Sequence, residues 1–495
     1  MLTLINSNRM APPIAPLGLD YVGAALRQAG IEVELLDLCL ATNADDAVRH
    51  YFSTHQPELI GISFRNVDDC FWPSGASFVP ELNQLVAALR TLSDAPIVLG
   101  GVGYSILAAE VLRCSGADFG IRGDGEEAIA ELTAELRGPR RWDRVKGLLW
   151  QEDGTVRANS PAWPGALSIP TDRGIVDNAA YFRLGGQVGV ETKRGCSRQC
   201  SYCVDPLAKG PTVRLRAPSE VVEEMKSLLR QGIDVFHLCD AEFNLPAGHA
   251  RDVCDELIRQ EMGSRVRWYA YLAVVPFDAD LAGRMARAGC VGINFTSDSA
   301  SAAMLSVYGQ PHRQEDIHTA IRHCRRHGIA VMCDLLLGGP GETVETVTES
   351  IRFFQDAGPD CVGAALGLRL YPRTRIAAMV AEEGPWETNP SIRRHYDGAV
   401  DLLRPTFYVS AALGERPARL VRDLIAGDPR FFEPEEEMAL TERASSHGDH
   451  NYNANRVLTD AIRAGARGAY WDILRTLRGD GKTRTRISRH RTGIA

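Results

Sequence analysis

Three cysteines near the middle of the chain have a spacing that could hold a metal cluster. Cys196, Cys200 and Cys203 follow the pattern CxxxCxxC, with the aromatic Tyr202 directly before the last cysteine. Three thiolates suit an iron–sulfur cluster, which normally takes four protein ligands, so one iron would stay open for another molecule. Zinc fits less well, because no second pair of cysteine or histidine follows at zinc-ribbon spacing. The motif therefore predicts a cluster with one open iron.

Composition and charge restrict the kinds of partner. The chain has 495 residues, enough for two or three domains, and 45% hydrophobic residues to fill their cores. Its 55 Lys and Arg against 63 Asp and Glu give a net charge of −8. This balance argues against nucleic acid as a partner and suits an enzyme of small molecules. No apolar run reaches the roughly 20 residues of a membrane span. The first residues lack a signal-peptide pattern and the 12 cysteines lack a disulfide rhythm, so we expect no membrane association and a cytoplasmic protein.

The elements that must position the cysteines begin with a unit over residues 1–138. Short apolar strands alternate there with amphipathic helices, which is typical of a doubly wound, Rossmann-like parallel sheet that binds ligands at the carboxyl ends of its strands. The predicted strands are Leu2–Asn6, Glu32–Leu38, Leu59–Phe64, Pro96–Gly101 and Phe119–Asp124. Residues 139–180 are rich in proline and carry a hairpin signal at Asp153-Gly154, so we predict a linker.

Strand and helix alternation resumes after the linker and predicts a partial (β/α)6 barrel over residues 181–375. Chemistry in parallel barrels occurs at the carboxyl ends of the strands, and the cysteine loop follows the first of them. The predicted barrel strands are Val188–Arg194, Asp234–Cys239, Val266–Leu272, Val291–Phe295, Ile329–Leu337 and Cys361–Leu370. Residues 376–495 are predicted to be a mainly helical region that ends in a basic, disordered tail at Lys482–Arg491. The fold class is therefore α/β, with three parts.

The cysteine motif after a first barrel strand resembles the signature of the radical S-adenosylmethionine (radical SAM) enzymes. The unit over residues 1–138 resembles the cobalamin-binding domain that precedes the barrel in one large branch of that superfamily. The resemblance implies that Cys196, Cys200 and Cys203 hold a [4Fe–4S] cluster and that SAM chelates the open iron. It also implies a 5′-deoxyadenosyl radical, and an electron donor such as flavodoxin or ferredoxin with its reductase.

Other strand ends resemble the SAM-binding turns of the family. Asp240 and Glu242 follow the second barrel strand, where the family places polar residues near the SAM amino group, although Gly-Gly-Glu is commoner there. The other implied SAM contacts are the aromatic residue of the motif, the hydroxyl and acidic residues after the fourth strand, and the glycine-rich turn after the fifth. These contacts are Tyr202, Thr296, Ser297, Asp298, Ser299, Gly338, Gly339 and Gly341.

Turns of the first unit resemble those that admit the corrin ring in cobalamin domains. Glycine in such turns removes side chains that would block a large flat ligand. The implied corrin contacts are Gly100, Gly101, Ser105, Gly123, Asp124, Gly125 and Glu126. The motif Asp-x-His-x-x-Gly, which supplies a histidine to cobalt in methionine synthase and mutases, is absent. Arg65, just past the third strand, is our candidate for the side chain beneath the corrin.

Two hypotheses for function follow. The first is a cobalamin-dependent radical SAM methyltransferase that transfers a methyl group to a carbon of a small natural-product intermediate, for instance in antibiotic biosynthesis. The second is a radical dehydratase, deoxygenase or epimerase of an aminosugar or aminocyclitol that does not use cobalamin. Asp240, Glu242 and Asp334 would then supply acid and base catalysis. A non-catalytic cluster or cobalamin module is a third possibility, and bound cobalamin separates the first two.

Overall fold

The structure is a computed structural model that describes residues 1–435, 452 and 455–479. Its first part is a sheet with helices on both faces. The strands are β1 (Leu2–Asn6), β2 (Val33–Asp37), β3 (Leu59–Ser63), β4 (Ile97–Gly100), β5 (Phe119–Ile121), β6 (Leu148–Glu152) and β7 (Thr155–Ala158). The helices are α1 (Leu17–Gln28), α2 (Ala44–Phe52), α3 (Val79–Leu92), α4 (Val102–Ile106), α5 (Ala108–Ser115) and α6 (Ala128–Arg137).

The strand order of this sheet is β2-β1-β3-β4-β5-β6-β7. The first five strands are parallel, and β6 and β7 are antiparallel additions. Neighbouring residues of β1 are buried in different cores, Leu4 on one face and Ile5 on the other, because helices cover both faces. The order 2-1-3-4-5 reverses between β1 and β3, where doubly wound sheets bind ligands. The hairpin that the sequence indicates within 139–180 is β6–β7, and it extends this sheet.

The second part is a partial parallel barrel, as predicted. Its strands are β8 (Val188–Val190), β11 (Val235–Leu238), β12 (Arg267–Leu272), β13 (Cys290–Asp298), β14 (Ala330–Leu337) and β15 (Cys361–Leu366), and a short antiparallel pair, β9 (Lys193–Arg194) and β10 (Arg214–Leu215), follows the first of them. The helices are α7 (Asn178–Gly185), α8 (Asp205–Lys209), α9 (Pro218–Arg230), α10 (Ala247–Arg259), α11 (Ala279–Arg287), α12 (Ala302–Tyr308), α13 (Gln314–Arg326) and α14 (Val344–Ala357). All six barrel strands are parallel, in the order β15-β14-β13-β12-β11-β8.

The C-terminal part closes one end of the barrel. Its elements are β16 (Leu368–Arg369), α15 (Arg375–Glu382), β17 (Ile392–Arg394), β18 (Thr406–Tyr408), α16 (Pro417–Ile425), β19 (Phe431–Phe432), α17 (Arg456–Arg463) and a helix over residues 470–479. β19 pairs with β15, and Trp471 and Leu474 pack against Tyr269 and Met332 at the amino ends of the barrel strands. The predicted basic tail lies outside the described residues.

Buried charges join the first sheet, the linker and the barrel. Arg173 in the linker donates from Nε to Asp20 Oδ2 on α1 at 2.6 Å, and from Nη1 to Glu224 Oε1 on α9 at 2.6 Å. Arg216 donates to the other oxygen of Glu224 at 2.5 Å. All four side chains are fully buried. This group, which we call the interdomain ion cluster, fixes the first sheet against the barrel.

Candidate active site

The three cysteines lie on one loop at the carboxyl end of β8. The antiparallel pair of β9 and β10 holds the base of the loop, and the N–H of Cys196 donates to the carbonyl of Gly210 at 3.0 Å. Gly195 precedes the first cysteine with φ +90°, and a side chain there would overlap the carbonyl oxygen of Thr212. Only glycine therefore permits this path of the loop.

The chemistry of the three thiols fits a cluster. Burial raises the pKa of all three, that of Cys200 to about 11. The neighbouring charges of Lys193 and Arg198 act in the opposite direction on Cys196 and Cys200, respectively. Bound iron deprotonates coordinating thiols and compensates the buried negative charge. Cys196, Cys200 and Cys203 thus stay the predicted residues that would hold the cluster.

Glu242 faces the cysteine loop from the end of β11. Thr296 Oγ1 donates to its Oε1 at 2.7 Å, while its Oε2 is buried and lacks a hydrogen-bond partner among the described residues. Burial raises the pKa of Glu242 to about 7. The negative charge of this residue also raises the pKa of Cys196 and Cys200. Glu242 therefore has one free oxygen beside the loop, and its predicted contact with SAM stays a prediction.

Asp240 serves a different contact. Its Oδ1 accepts from the backbone N–H of Thr192 at 2.8 Å, and its Oδ2 accepts from the Thr192 hydroxyl at 2.5 Å. His249 Nε2 lies 3.0 Å from the carbonyl of the same threonine. Asp240 thus anchors the segment that leads into the cysteine loop, and its predicted acid or base role stays a prediction.

Asp298 connects the predicted SAM contacts at the end of β13. Tyr202 donates to its Oδ2 at 2.7 Å, and Gln310 Nε2 donates to the same oxygen at 2.6 Å. Arg198 donates in turn to the Gln310 carbonyl at 2.6 Å. Asp298 has φ +56°, a conformation that few non-glycine residues adopt, and burial raises its pKa to about 6. Sequence reasoning missed Gln310, for which we find no motif.

The four polar residues Thr296, Ser297, Asp298 and Ser299 face two directions, and the first three belong to β13, which is longer than the predicted strand. Thr296 and Asp298 face the barrel interior, as alternate residues of a strand should. Ser297 donates to the carbonyl of Asp334 at 2.7 Å, and Ser299 pairs with the hydroxyl of Ser350 at 2.9 Å. The two serines thus hold neighbouring elements together, and their predicted SAM contact stays a prediction.

The glycine-rich turn after β14 is tightly packed. Gly338 has φ +93° and donates to Glu342 Oε2 at 3.0 Å. A side chain at Gly339 would overlap the Tyr308 hydroxyl, which donates to the carbonyl of Leu336 at 2.8 Å. Gly341 has φ +80° with open space beside its Cα. Gly338 and Gly341 thus permit the backbone conformation of the turn, and Gly339 permits its close contact with Tyr308. The predicted contact of the turn with adenine stays a prediction.

One cavity of about 890 Å³ joins the first sheet to the inside of the barrel. This volume is at the upper end of the range for ligand sites. Gly18 and Gly100 line it, and a side chain at either would point into open space. Gly101, in contrast, sits against the backbone of Phe64 with φ +102°. The turns of the first sheet therefore leave open cavity space beside Gly18 and Gly100, and the predicted contact of Gly100 and Gly101 with the corrin stays a prediction.

Several predicted corrin contacts are engaged with the protein itself. Arg194 forms ion pairs with Asp124 at 3.2 Å and with Glu126 at 2.9 Å, and it also pairs with Glu191. Arg214 pairs with the same Asp124. These carboxylates connect the first sheet to β9 and β10 beside the cysteine loop. The remaining predicted contacts line the cavity close by: Ser105, Gly123 and Gly125.

Arg65 lines the same cavity from the end of β3. Burial lowers its pKa, and among residues 1–435 and the shorter described segments it forms no ion pair. The groups around it are neutral or weakly acidic, namely Tyr470, Cys39 and Cys239. A buried guanidinium without a carboxylate partner beside the cavity suits a ligand contact, and its position beneath the corrin stays a prediction.

Comparison with known proteins identifies the family. The chain matches the descriptions "Radical SAM superfamily" over residues 190–354 and "B12 binding domain" over residues 6–133. It is 30% identical to the tryptophan 2-C-methyltransferase of Streptomyces laurentii over 95% of each chain. This chain is a cobalamin-dependent radical SAM methyltransferase. The enzyme therefore has the activity of our first hypothesis, and the alternative without cobalamin is not favoured.

Solved structures agree with this family over the whole chain. The enzyme is similar to TsrM, a radical S-adenosylmethionine methyltransferase of Kitasatospora setae, solved with tryptophan and the SAM analogue aza-SAM. That match has 31% identity and a TM-score of 0.90 over 98% of this chain and 99% of the other. TsrM with cobalamin and a [4Fe–4S] cluster matches at 29% identity and a TM-score of 0.87, over 99% of both chains. The predicted cofactors, a [4Fe–4S] cluster, SAM and cobalamin, are thus confirmed.

The inside of the barrel holds polar residues that sequence reasoning missed. His237, Tyr271 and Asn294 line the cavity from three successive barrel strands. Each lies between two apolar residues of its strand. A single polar residue in an otherwise apolar strand indicates a side chain that faces the barrel interior, and this pattern could have identified the three residues from the sequence. Tyr452 of the C-terminal part also lines the cavity.

Proposed function

We propose that this enzyme methylates a ring carbon of an aromatic amino acid, with tryptophan as the first candidate. The observation that carries the proposal is the shared cavity, because it brings the glycine turns of the first sheet and the barrel interior into one space. A substrate inside the barrel would thus adjoin the corrin ring. Cobalamin carries methyl groups between a donor and an acceptor when it is bound.

The walls of the cavity favour an aromatic substrate. Five aromatic side chains contribute to it from the barrel and from the C-terminal region, and they offer flat apolar surface on which a ring can stack. They are Tyr269, Tyr271, Tyr452, Tyr470 and Trp471. The similarity to a tryptophan 2-C-methyltransferase supports the same substrate class.

Residues of this chain would position the reaction and exclude water from it. The interdomain ion cluster holds the two walls of the cavity at a fixed separation, and Trp471 closes the amino end of the barrel. Fixed positioning of the two reactants supplies much of the rate enhancement in such sites. Arg65, which we propose lies beneath the corrin, adds a positive charge on the cavity wall.

The experiment is a methyl-transfer assay with labelled SAM. The enzyme is reconstituted without oxygen with cluster and cobalamin, and given SAM with a deuterated methyl group together with tryptophan, tyrosine, phenylalanine or aliphatic amino acids. We expect one labelled methyl group on the tryptophan ring, located by NMR, and none with the Cys200→Ala variant. Cys114→Ala, which changes an exposed cysteine outside the site, should keep the activity. Labelling of only aliphatic amino acids would contradict the proposal.

We also infer that a flavodoxin or ferredoxin with its reductase supplies electrons and that the enzyme works in the cytoplasm. The free cysteines and the oxygen-sensitive chemistry of an open cluster support a reducing compartment. Among the described residues, no helix has the length and apolarity needed to cross a bilayer. Activity with purified flavodoxin and its reductase, compared with a chemical reductant, tests the electron donor.

A further inference from the structure

Four polar side chains form one layer across the inside of the barrel. One residue comes from each of the strands β11 to β14: His237, Tyr271, Asn294 and Asp334. The residues before and after each of them are buried in the core beneath the helices. Because side chains alternate between the two faces of a strand, the four must face the barrel interior. Tyr271 and Asn294 are direct neighbours in the sheet register.

This layer has more hydrogen-bond acceptors than donors. Asn294 Oδ1 is buried and has no hydrogen-bond partner among the described residues, and Asp334 forms no ion pair with any described Lys or Arg. Burial, and secondarily the charge of Asp298, raises the pKa of Asp334 to about 7, and the Asn294 side chain opposes this shift. Asp334 is half-buried, and a carboxyl group in that position without a cationic partner is costly, so a positively charged ligand group would compensate it.

Among the residues that the structure describes, no positively charged side chain pairs with Asp334, and His237 does not supply a positive charge. Burial lowers the pKa of His237 to about 4, and the nearby Arg65 lowers it further in the same direction. His237 is therefore neutral at physiological pH, and its ring packs edge-on against Tyr271 at a centroid distance of 5.4 Å. The imidazole closes one side of the layer and leaves Asp334 as its ionisable acid.

The layer is open to the substrate. His237, Tyr271 and Asn294 line the cavity that also contains the glycine turns of the first sheet, and Asp334 keeps part of its surface uncovered. A primary ammonium group has three N–H donors. The Asp334 carboxylate, the Asn294 carbonyl and the Tyr271 hydroxyl can accept one each.

We propose that Asp334 and Asn294 bind the ammonium group of the substrate and so determine its orientation in the barrel. This inference rests on the proposed function, because it assumes that an amine substrate occupies the barrel interior. It makes the enzyme selective for amines over the corresponding desamino acids. A hydroxyl group in the same position would leave Asp334 without a counter-charge. A carboxylate would place two negative charges next to each other.

The test is ligand binding to the reconstituted holoenzyme, measured by titration calorimetry. Tryptophan, tryptamine and indole-3-propionate are the indole probes; phenethylamine and 3-phenylpropionate are a second pair without indole. We expect the wild type to prefer each amine, and Asp334→Asn to weaken amine binding about 10- to 100-fold without weakening that of the acids. Asp334→Glu should recover part of the affinity. The visible spectra of the cluster and of cobalamin, unchanged in the variants, serve as the folding control.

The outcomes separate this inference from the proposed function. If only the phenyl pair is discriminated, the ammonium site stands and the indole substrate is wrong. If tryptamine and phenethylamine both bind equally well to wild type and Asp334→Asn, or if both acids bind more tightly than the amines, the ammonium site is wrong. Failure of all the amines to bind the wild type also refutes it.

Discussion

The interdomain ion cluster allows a quantitative prediction about stability. Replacing Arg173 by Met keeps most of the side-chain volume but removes a positive charge that contacts Asp20 and Glu224 at 2.6 Å each. Arg216 still pairs with Glu224, and the backbone N–H groups of residues 175 and 176 still donate to Asp20. Breaking one buried pair costs about 3–5 kcal/mol, because the remaining charge stays buried.

The expected change in melting temperature follows from chain size. Unfolding entropy near 60 °C is about 2.1 cal/mol/K per residue, so a chain of 495 residues that unfolds as one unit gains about 1 kcal/mol/K. Arg173→Met should therefore lower the melting temperature by about 3–5 °C. Scanning calorimetry of the protein reconstituted with its cofactors measures this shift, and cobalamin release should occur in the same transition because the cavity walls separate.

Two further variants make this test decisive. Arg137→Met breaks an ion pair with Glu58 whose side chains are 53% and 33% exposed, so it should cost at most about 1 kcal/mol. Adding Asp20→Asn to Arg173→Met removes the one uncompensated charge, because Glu224 stays paired with Arg216, and should recover part of the stability. This role of the cluster is refuted if Arg173→Met and Arg137→Met lower the melting temperature equally, or if the double variant is less stable than Arg173→Met.

Three other predictions concern the cavity, the glycine turn and the cysteine loop. Gly100→Val should abolish cobalamin binding without unfolding the protein, because the valine side chain would enter open cavity space. The control is Gly248→Val at an exposed position with open space beside it, which should bind cobalamin normally. A spectral titration with cobalamin measures both. Burial raises the pKa of Glu342 to about 7, so the folded state favours the protonated form and should lose about 1–3 kcal/mol of stability as the pH rises from about 4.5 to 7. Glu342→Gln should reduce this loss, measured by denaturation across the same pH range. An unchanged dependence of stability on pH would contradict this expectation. Asp240→Asn should speed iron loss to a chelator, because it weakens the anchor on Thr192, and leave the pH profile of activity unchanged; a shifted profile would instead support acid or base catalysis.

The strands and the cysteine site could be predicted because their signals are local. The run at Leu2–Asn6 is mainly apolar and buried throughout, and the run at Ile329–Leu337 differs from β14 by one residue. A strand buried on both faces needs such a run, and a turn with glycine ends it. The cysteine spacing is a property of one loop. These features therefore required no knowledge of distant contacts.

The roles of individual acids could not be predicted in the same way. Asp240, Glu242 and Asp124 all follow strands, and their sequence surroundings look alike. In the structure, Asp240 accepts hydrogen bonds from Thr192 and Asp124 pairs with two arginines. Glu242 instead keeps one oxygen without a partner beside the cysteine loop. Their partners come from parts of the chain tens of residues away. Only the packing of the two domains decides which carboxylate stays available.

The position of Trp471 has a consequence for the order of assembly in the cell. This residue and Tyr470 form one wall of a cavity whose other wall includes Asn6, at the end of the first strand. Translation at about 5–20 residues per second separates the synthesis of these walls by roughly half a minute to a minute and a half. The nascent chain can form its first sheet during that time but cannot enclose a cofactor. Enclosure of cobalamin between these walls must therefore follow the synthesis of Tyr470 and Trp471.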